Sequence, residues 1–298
     1  MQRDDKHSDD TFGGNWTDEK LTIIEKYLSA YTLALQNLPL RKVYIDAFAG
    51  DGMVNIASDD GTNKQIEGSV TRALKIQHPF NDYYFVELNE NKARILEKLK
   101  TKYPDRNIHP INGDANVEIP KLIQSIDWHL FRGVIFVDPY HTNVNWKTIV
   151  SISESKALDF WYLFPVNAVL RLLPNSGKIP EKWINTISNM LGCDSATWFS
   201  TLYEKEHYQQ LSLFEEDNDE VTYYRKHGAD DLQELIKKQL KGLFPFVSDK
   251  PAILKNSNNA PLFLLFFAVS NPKPAAWNLA KRIADNILEY DKQHGHHN

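Results

Sequence analysis

From Lys42 to Phe164 the chain alternates strand-like and helix-like segments, and the first four strand-like runs end in glycine or acidic turns. Runs rich in β-branched and aromatic residues (Lys42 to Phe48, Tyr83 to Glu87, Asn107 to Ile111, Val134 to Asp138, Leu158 to Phe164) read as buried strands. Between them, Gly68-Ser69 opens a short helix with Ser69 as its cap. Asn89 to Tyr103 and Val117 to Ile126 also carry helical spacing. Strands joined by helical crossovers pair in parallel, with helices on both faces and right-handed connections. The expected fold is therefore α/β and Rossmann-like.

The flanks extend this core. Leu21, Ile24, Leu28, Tyr31 and Leu35 mark one face of an opening helix, with Thr17 as the expected N-cap and a Trp16–Leu21 hydrophobic staple. Residues 53–67 lack periodicity and read as a long loop beside the glycine turn. Helical pieces and the acidic run Glu215 to Glu220 read as an insertion over about residues 170–235. Asp230 to Phe244 is a helix, Phe246 to Leu254 and Leu262 to Val269 an antiparallel hairpin, and Pro274 to Tyr290 a final helix. This organisation predicts one domain over residues 16–290 between flexible tails at 1–15 and 291–298, the last carrying three histidines.

Composition narrows the function classes. Of 298 residues, 42% are hydrophobic, and 34 basic against 39 acidic residues leave a net charge of −5, which argues against a surface built to coat nucleic-acid backbone. The single cysteine, Cys193, cannot form an intrachain disulfide, a cysteine-based zinc cage or an iron–sulfur cluster, and no metal site is expected. The longest apolar stretch, Leu262 to Val269, falls far short of the roughly 20 residues that span a bilayer. With no secretory pattern at Met1 to Asp10, a soluble cytoplasmic protein without membrane association is expected.

In an open parallel sheet, ligands bind at the carboxyl ends of the strands, where strand order reverses. Asp46 with the Ala49-Gly50-Asp51-Gly52 turn, Glu87 with Leu88, Asp114 with Ala115, and Asp138 all fall there. A dinucleotide fingerprint would need a third glycine at position 55, which is Asn, and clustered acids would repel a pyrophosphate; a nicotinamide oxidoreductase is disfavoured. The acids suit S-adenosylmethionine, which carries a sulfonium, an ammonium and a ribose diol but no phosphate. Glu87 is placed to accept from the ribose hydroxyls, Asp114 from the adenine amino group, and Asp46 lies toward the amino-acid end.

Asp138-Pro139-Tyr140 is the candidate for chemistry. The exocyclic amine of a base is a poor nucleophile, because its lone pair is delocalised into the ring. A side-chain oxygen and a rigid backbone carbonyl accepting its two N–H bonds favour a pyramidal nitrogen, while a stacked ring aligns the base. Such stacking requires a single-stranded or flipped-out base. His141 is a candidate general base beside the motif. As purely structural residues, these would cap and stiffen a turn.

Together, Tyr44-Ile-Asp-Ala-Phe-Ala-Gly-Asp-Gly52, Gly68-Ser69, Phe85-Val-Glu87, Gly113-Asp-Ala-Asn116 and Phe136-Val-Asp-Pro-Tyr140 resemble the three-Cys-motif partner proteins. These form a branch of the class I S-adenosylmethionine-dependent methyltransferase-like superfamily. Trp16, Lys20-Leu21, Tyr27-Leu28 and Phe266 to Asn271 extend the resemblance beyond the core. It implies a mostly parallel seven-stranded sheet with a C-terminal antiparallel hairpin, and a cofactor pocket at Asp46, Gly50, Gly52, Glu87 and Asp114. It also implies a partner with a three-cysteine, radical-enzyme-like motif. Two positions depart from the pattern: Asp51 stands where proline is common, and one proline rather than two precedes Tyr140. The leading expectation is methyl transfer to a nucleic-acid base; the alternative is a binding module that keeps the fold without turnover. Arg171, Lys178, Lys182, Lys205, Arg225 and Lys226 could form a basic rim on the insertion.

Overall fold

A computed structural model describes residues 14–57, 63–140, 142–206, 222–226 and 228–294. The elements run α1 (Asn15–Ala34), β1 (Arg41–Asp46), β2 (Met53–Ala57), β3 (Asn63–Glu67), α2 (Ser69–Lys75), β4 (Asp82–Glu87), α3 (Glu90–Lys102), β5 (Ile108–Asn112), α4 (Ala115–Ser125), β6 (Phe131–Val137), α5 (Trp146–Glu154) and β7 (Leu158–Phe164). They continue with α6 (Val166–Leu172), α7 (Glu181–Leu191), α8 (Ser195–Leu202), β8 (Tyr203–Glu206), β9 (Thr222–Arg225), α9 (Ala229–Lys241), β10 (Phe246–Val247), β11 (Ala252–Lys255), β12 (Pro261–Val269) and α10 (Pro274–His294).

The main sheet has the order β10-β12-β7-β6-β1-β4-β5. Strands β5, β4, β1, β6 and β7 are mutually parallel, and β12 pairs antiparallel with β7. Successive strands leave β1 in both directions, so order reverses there: β4 lies on one side and β6 on the other. Side-chain alternation sorts two cores. Val43 and Ile45 of β1 face α4, α5 and the insertion helices, whereas Tyr44 faces α1, α2, α3 and α10. Every residue of β7 is buried because both edges are paired and both faces covered.

Several local readings are corrected. Residues 53–67 contain an antiparallel hairpin, β2 with β3, rather than a loop alone; its alternation is hidden by polar residues on the exposed side. Gly14, not Thr17, is the N-cap of α1, and Thr17 lies buried inside the helix. Trp16 does not staple to Leu21 but packs on Phe263, with ring centroids 4.7 Å apart. Gly68 caps α2, which displaces Ser69 into the helix. The expected strand 246–254 is split: β10 and β11 pair with the same edge of β12, separated by Ser248 to Pro251, where proline cannot donate to the ladder. The last helix reaches His294. The acidic run at 215–220, His141 and residues 295–298 lie outside the described residues. Among the described residues no helix is long and apolar enough to cross a membrane.

Asp159 is the one acid in the otherwise apolar β7. It is 7% exposed, and its Oδ2 accepts from the Tyr27 hydroxyl at 2.6 Å. Burial pushes its carboxyl up to about 7, with Tyr31 nearby and Arg132 and Lys273 lining the adjacent pocket. An acid raised in the folded state stabilises fully below its unfolded value of about 3.9, and that stability is lost as pH rises through about 7. Asp159→Asn keeps an acceptor for Tyr27 and removes this loss. Its urea midpoint is expected to gain on the wild type between about pH 5 and about pH 8, and a constant difference would contradict the assignment.

Candidate functional site

The chain leaves β1 in a turn that only glycine makes without strain. Gly50 has φ +64° and Gly52 φ +87°. A Cβ on Gly52 would stand 2.9 Å from Thr71 Oγ1, which donates to Gly52 O at 2.7 Å. Gly68 N donates to the same carbonyl at 2.9 Å, so α2 clamps the turn from behind. A Cβ on Gly50 would meet no protein atom within 4 Å. Ala49 N donates to Val86 O at 2.9 Å, tying the turn to β4.

Glu87 closes the turn from the other side. It is 5% exposed; its Oε2 accepts from Gly50 N at 2.9 Å and its Oε1 from Asn89 N at 2.8 Å. A carboxylate offers about four lone-pair sites, so acceptor capacity remains after both backbone bonds. Asn89 in turn caps α3, accepting from Asn91 N and Lys92 N.

At this end of the sheet opens a cavity of about 530 Å³. Ala47, Phe48 and Val86 line it with apolar surface, and Glu87, Leu88, Asp114, Ala115 and Tyr140 of the expected site residues also face it. Thr186, Asn189 and Met190 bring α7 of the insertion to the same cavity. Among the described residues no lysine or arginine lines it. A partly apolar hollow whose described charged groups are the carboxylates of Glu87 and Asp114 fits a nucleoside and does not fit a pyrophosphate. S-adenosylmethionine fits this donor set: Glu87 would hold its ribose, with Asp114 and the apolar walls toward the purine.

Other expected residues take different positions. Asp114 is the N-cap of α4, accepting from Asn116 N at 2.8 Å, and is exposed. Asn116, two residues on, pins the loop after β6: it donates to Asn143 O at 2.7 Å and accepts from Asn145 N and Thr148 Oγ1, both at 2.9 Å. Asp46 does not line the cavity; it is fully buried, and burial raises its carboxyl to about 6. Ser69, the Phe48 N–H and the Tyr44 hydroxyl oppose the rise, and the Asp138 charge adds to it.

Asp138 and Pro139 also stand off the cavity wall. Pro139 is buried. Asp138 Oδ2 accepts from Lys20 Nζ of α1 at 2.5 Å, and Lys20 also lies over the Trp16 ring at 5.0 Å. Tyr140, 46% exposed, accepts from Lys92 Nζ at 3.3 Å, which also sits 5.4 Å from its ring centroid. Lys20 and Lys92 are thus site neighbours that sequence reasoning did not assign. For Lys20 a signal existed, since a lysine on the apolar stripe of a helix needs a partner.

No family model and no curated protein matches the chain. Among solved structures, protein LPL1258 from Legionella pneumophila is 13% identical with a TM-score of 0.44, covering 90% of this chain and 91% of that one. The bifunctional kinase-methyltransferase WbdD is 11% identical with a TM-score of 0.40, covering 85% and 39%. An S-adenosylmethionine-dependent methyltransferase from Clostridium acetobutylicum is 10% identical with a TM-score of 0.35, covering 83% and 92%.

The Lys20–Asp138 pair is tested by a double-mutant cycle. The side chains are 9% and 23% exposed, so removing either partner strands a largely desolvated charge. Lys20→Met and Asp138→Asn are each expected to cost about 2–3 kcal/mol. The double variant should recover at least about 1 kcal/mol of the summed loss. Coupling below about 0.5 kcal/mol would make the pair an ordinary surface contact.

Proposed function

We propose that this chain is an S-adenosylmethionine-dependent methyltransferase whose acceptor is an exocyclic amine of a nucleic-acid base, presented unpaired or flipped out. The observation that carries the reading is the buried Glu87 carboxylate, which braces the Gly50 turn and faces a cavity that no described lysine or arginine lines. When bound there, the cofactor supplies an electrophilic methyl group on a sulfonium. Glu87 accepts from the ribose hydroxyls with its remaining lone pairs, and Gly50 lets the backbone lie close. Asp138 keeps Oδ1 to accept from the acceptor nitrogen, Pro139 offers its carbonyl to the second N–H, and Tyr140 provides the stacking face. Lys20 holds the Asp138 carboxylate in one orientation. Asp138 does not act as a free general base while this ion pair stands.

The motif resemblance supports membership in the three-Cys-motif partner family and action beside a three-cysteine, radical-enzyme-like protein, and the single cysteine suits the reducing conditions of the cytoplasm. One feature favours a second reading, a nucleotide- or partner-binding module without turnover: Asp138 and Tyr140 are both engaged by lysines.

Methyl transfer to unpaired oligonucleotides, alone and with the partner, separates the two. Asp138→Ala is expected to leave cofactor affinity nearly unchanged and to lower turnover by about 10²-fold or more, the scale for losing one preorganised polar partner. Tyr140→Ala should weaken acceptor binding by about 1–3 kcal/mol, and Tyr140→Phe far less. Cofactor binding without turnover in the wild type under every condition would favour the binding module.

A further inference from the structure

A second cavity lies at the opposite, amino-terminal edge of the sheet. Asp159 is the second residue of β7, whereas Tyr140 follows the far end of the adjacent β6, so the two sites stand about 20 Å apart at about 3.3 Å per strand residue. The cavity measures about 380 Å³ and lies between the end of α1, the start of β7 and α10. Leu35, Leu38, Leu279 and Ile283 make its walls apolar, and the alanines of α10 leave it open. That size and character are those of a small-molecule site.

Its inner polar groups are unusual for so apolar a hollow. Asp159, Tyr31 and Asn271 all line it, and each is more than nine-tenths buried. Asn271 Oδ1 accepts from Lys273 N, which commits it to the local turn. The Asp159 carboxyl accepts from Tyr27 through Oδ2, leaving acceptor capacity at Oδ1. Of the other buried acids, Asp82 has the Arg41 guanidinium at 2.9 Å, whereas Asp46 and Glu87 are each held by two or more hydrogen bonds; for Asp159 the Tyr27 hydroxyl is the partner. Among the described residues no ion pair reaches Asp159. Arg132 lines the same cavity but turns Nη1 to the carbonyls of Trp128 and Phe131, and Lys273 is exposed at the rim.

A buried carboxyl in an apolar hollow favours an occupant that brings its own cation and otherwise offers hydrocarbon. The geometry points to a second ligand site that takes a compact apolar amine in its ammonium form, the ammonium on Asp159 and the hydrocarbon against Leu35 and Leu38, just beyond α1, and Leu279 of α10. An anion would meet the Asp159 carboxyl, and a neutral apolar molecule would leave it without a partner. The site depends on no part of the methyl-transfer reading.

The test uses three probes of one chain length, hexylamine, hexanol and hexanoate, titrated into the full chain at about pH 8 with calorimetry and amide chemical shifts as readouts. Hexylamine is expected to bind at least about tenfold more tightly than hexanoate, with shifts concentrated on residues of β7 and α10. Asp159→Asn, which retains an acceptor for Tyr27, should erase that preference. Ala276→Trp, which fills the cavity from α10, should abolish binding of all three. Tighter binding of hexanoate, an amine preference that survives Asp159→Asn, or no saturable binding by any probe would overturn the proposal.

Discussion

The Glu87 carboxylate is the interaction on which the candidate site depends. Lying at the end of β4 and almost fully buried, it accepts from Gly50 N with one oxygen and from Asn89 N with the other. The first bond fixes a turn whose positive φ angles need glycine, and the second fixes the entry of α3. A charged acceptor satisfied by backbone donors is worth more than a neutral one and costs more to remove. The same group that shapes the loop is therefore also the polar feature that a nucleoside would meet.

Around it, charge is distributed by burial rather than by number. Four acids near the strand ends take four fates. Glu87 is braced by backbone, Asp114 caps a helix, Asp138 is neutralised by Lys20, and Asp46 is shut away and raised toward neutrality. The Asp138 charge adds to the cost of ionising Asp46, and Lys20 pairs with Asp138. The opening helix thus stabilises the electrostatics at the end of β6, which links a long-range packing choice to the chemistry proposed there.

Much of this was legible in the sequence because periodicity and strand-end residues are local. Strands β1, β4, β5, β6 and β7 follow from apolar runs bounded by turns, and β7 matches its reading at both ends. What escaped depends on contacts between distant residues. Lys20 and Asp138 are 118 positions apart, and nothing local ties α7 to the cavity it lines. The caps at Thr17 and Ser69 failed for another reason: glycines just upstream adopt the extended conformation a cap needs, and each hydroxyl falls inside the helix. The β2–β3 hairpin was hidden because exposed strands carry little apolar alternation.

Calorimetric titration of the full chain with S-adenosylmethionine and its demethylated product, alongside Glu87→Ala, tests the central claim most directly. The account predicts saturable binding of both ligands to the wild type and a loss of about 1.5–3 kcal/mol on removing the carboxylate, the range for hydrogen bonds to a charged group. Binding of neither ligand at millimolar concentration, or equal affinity in a folded Glu87→Ala variant, would contradict it.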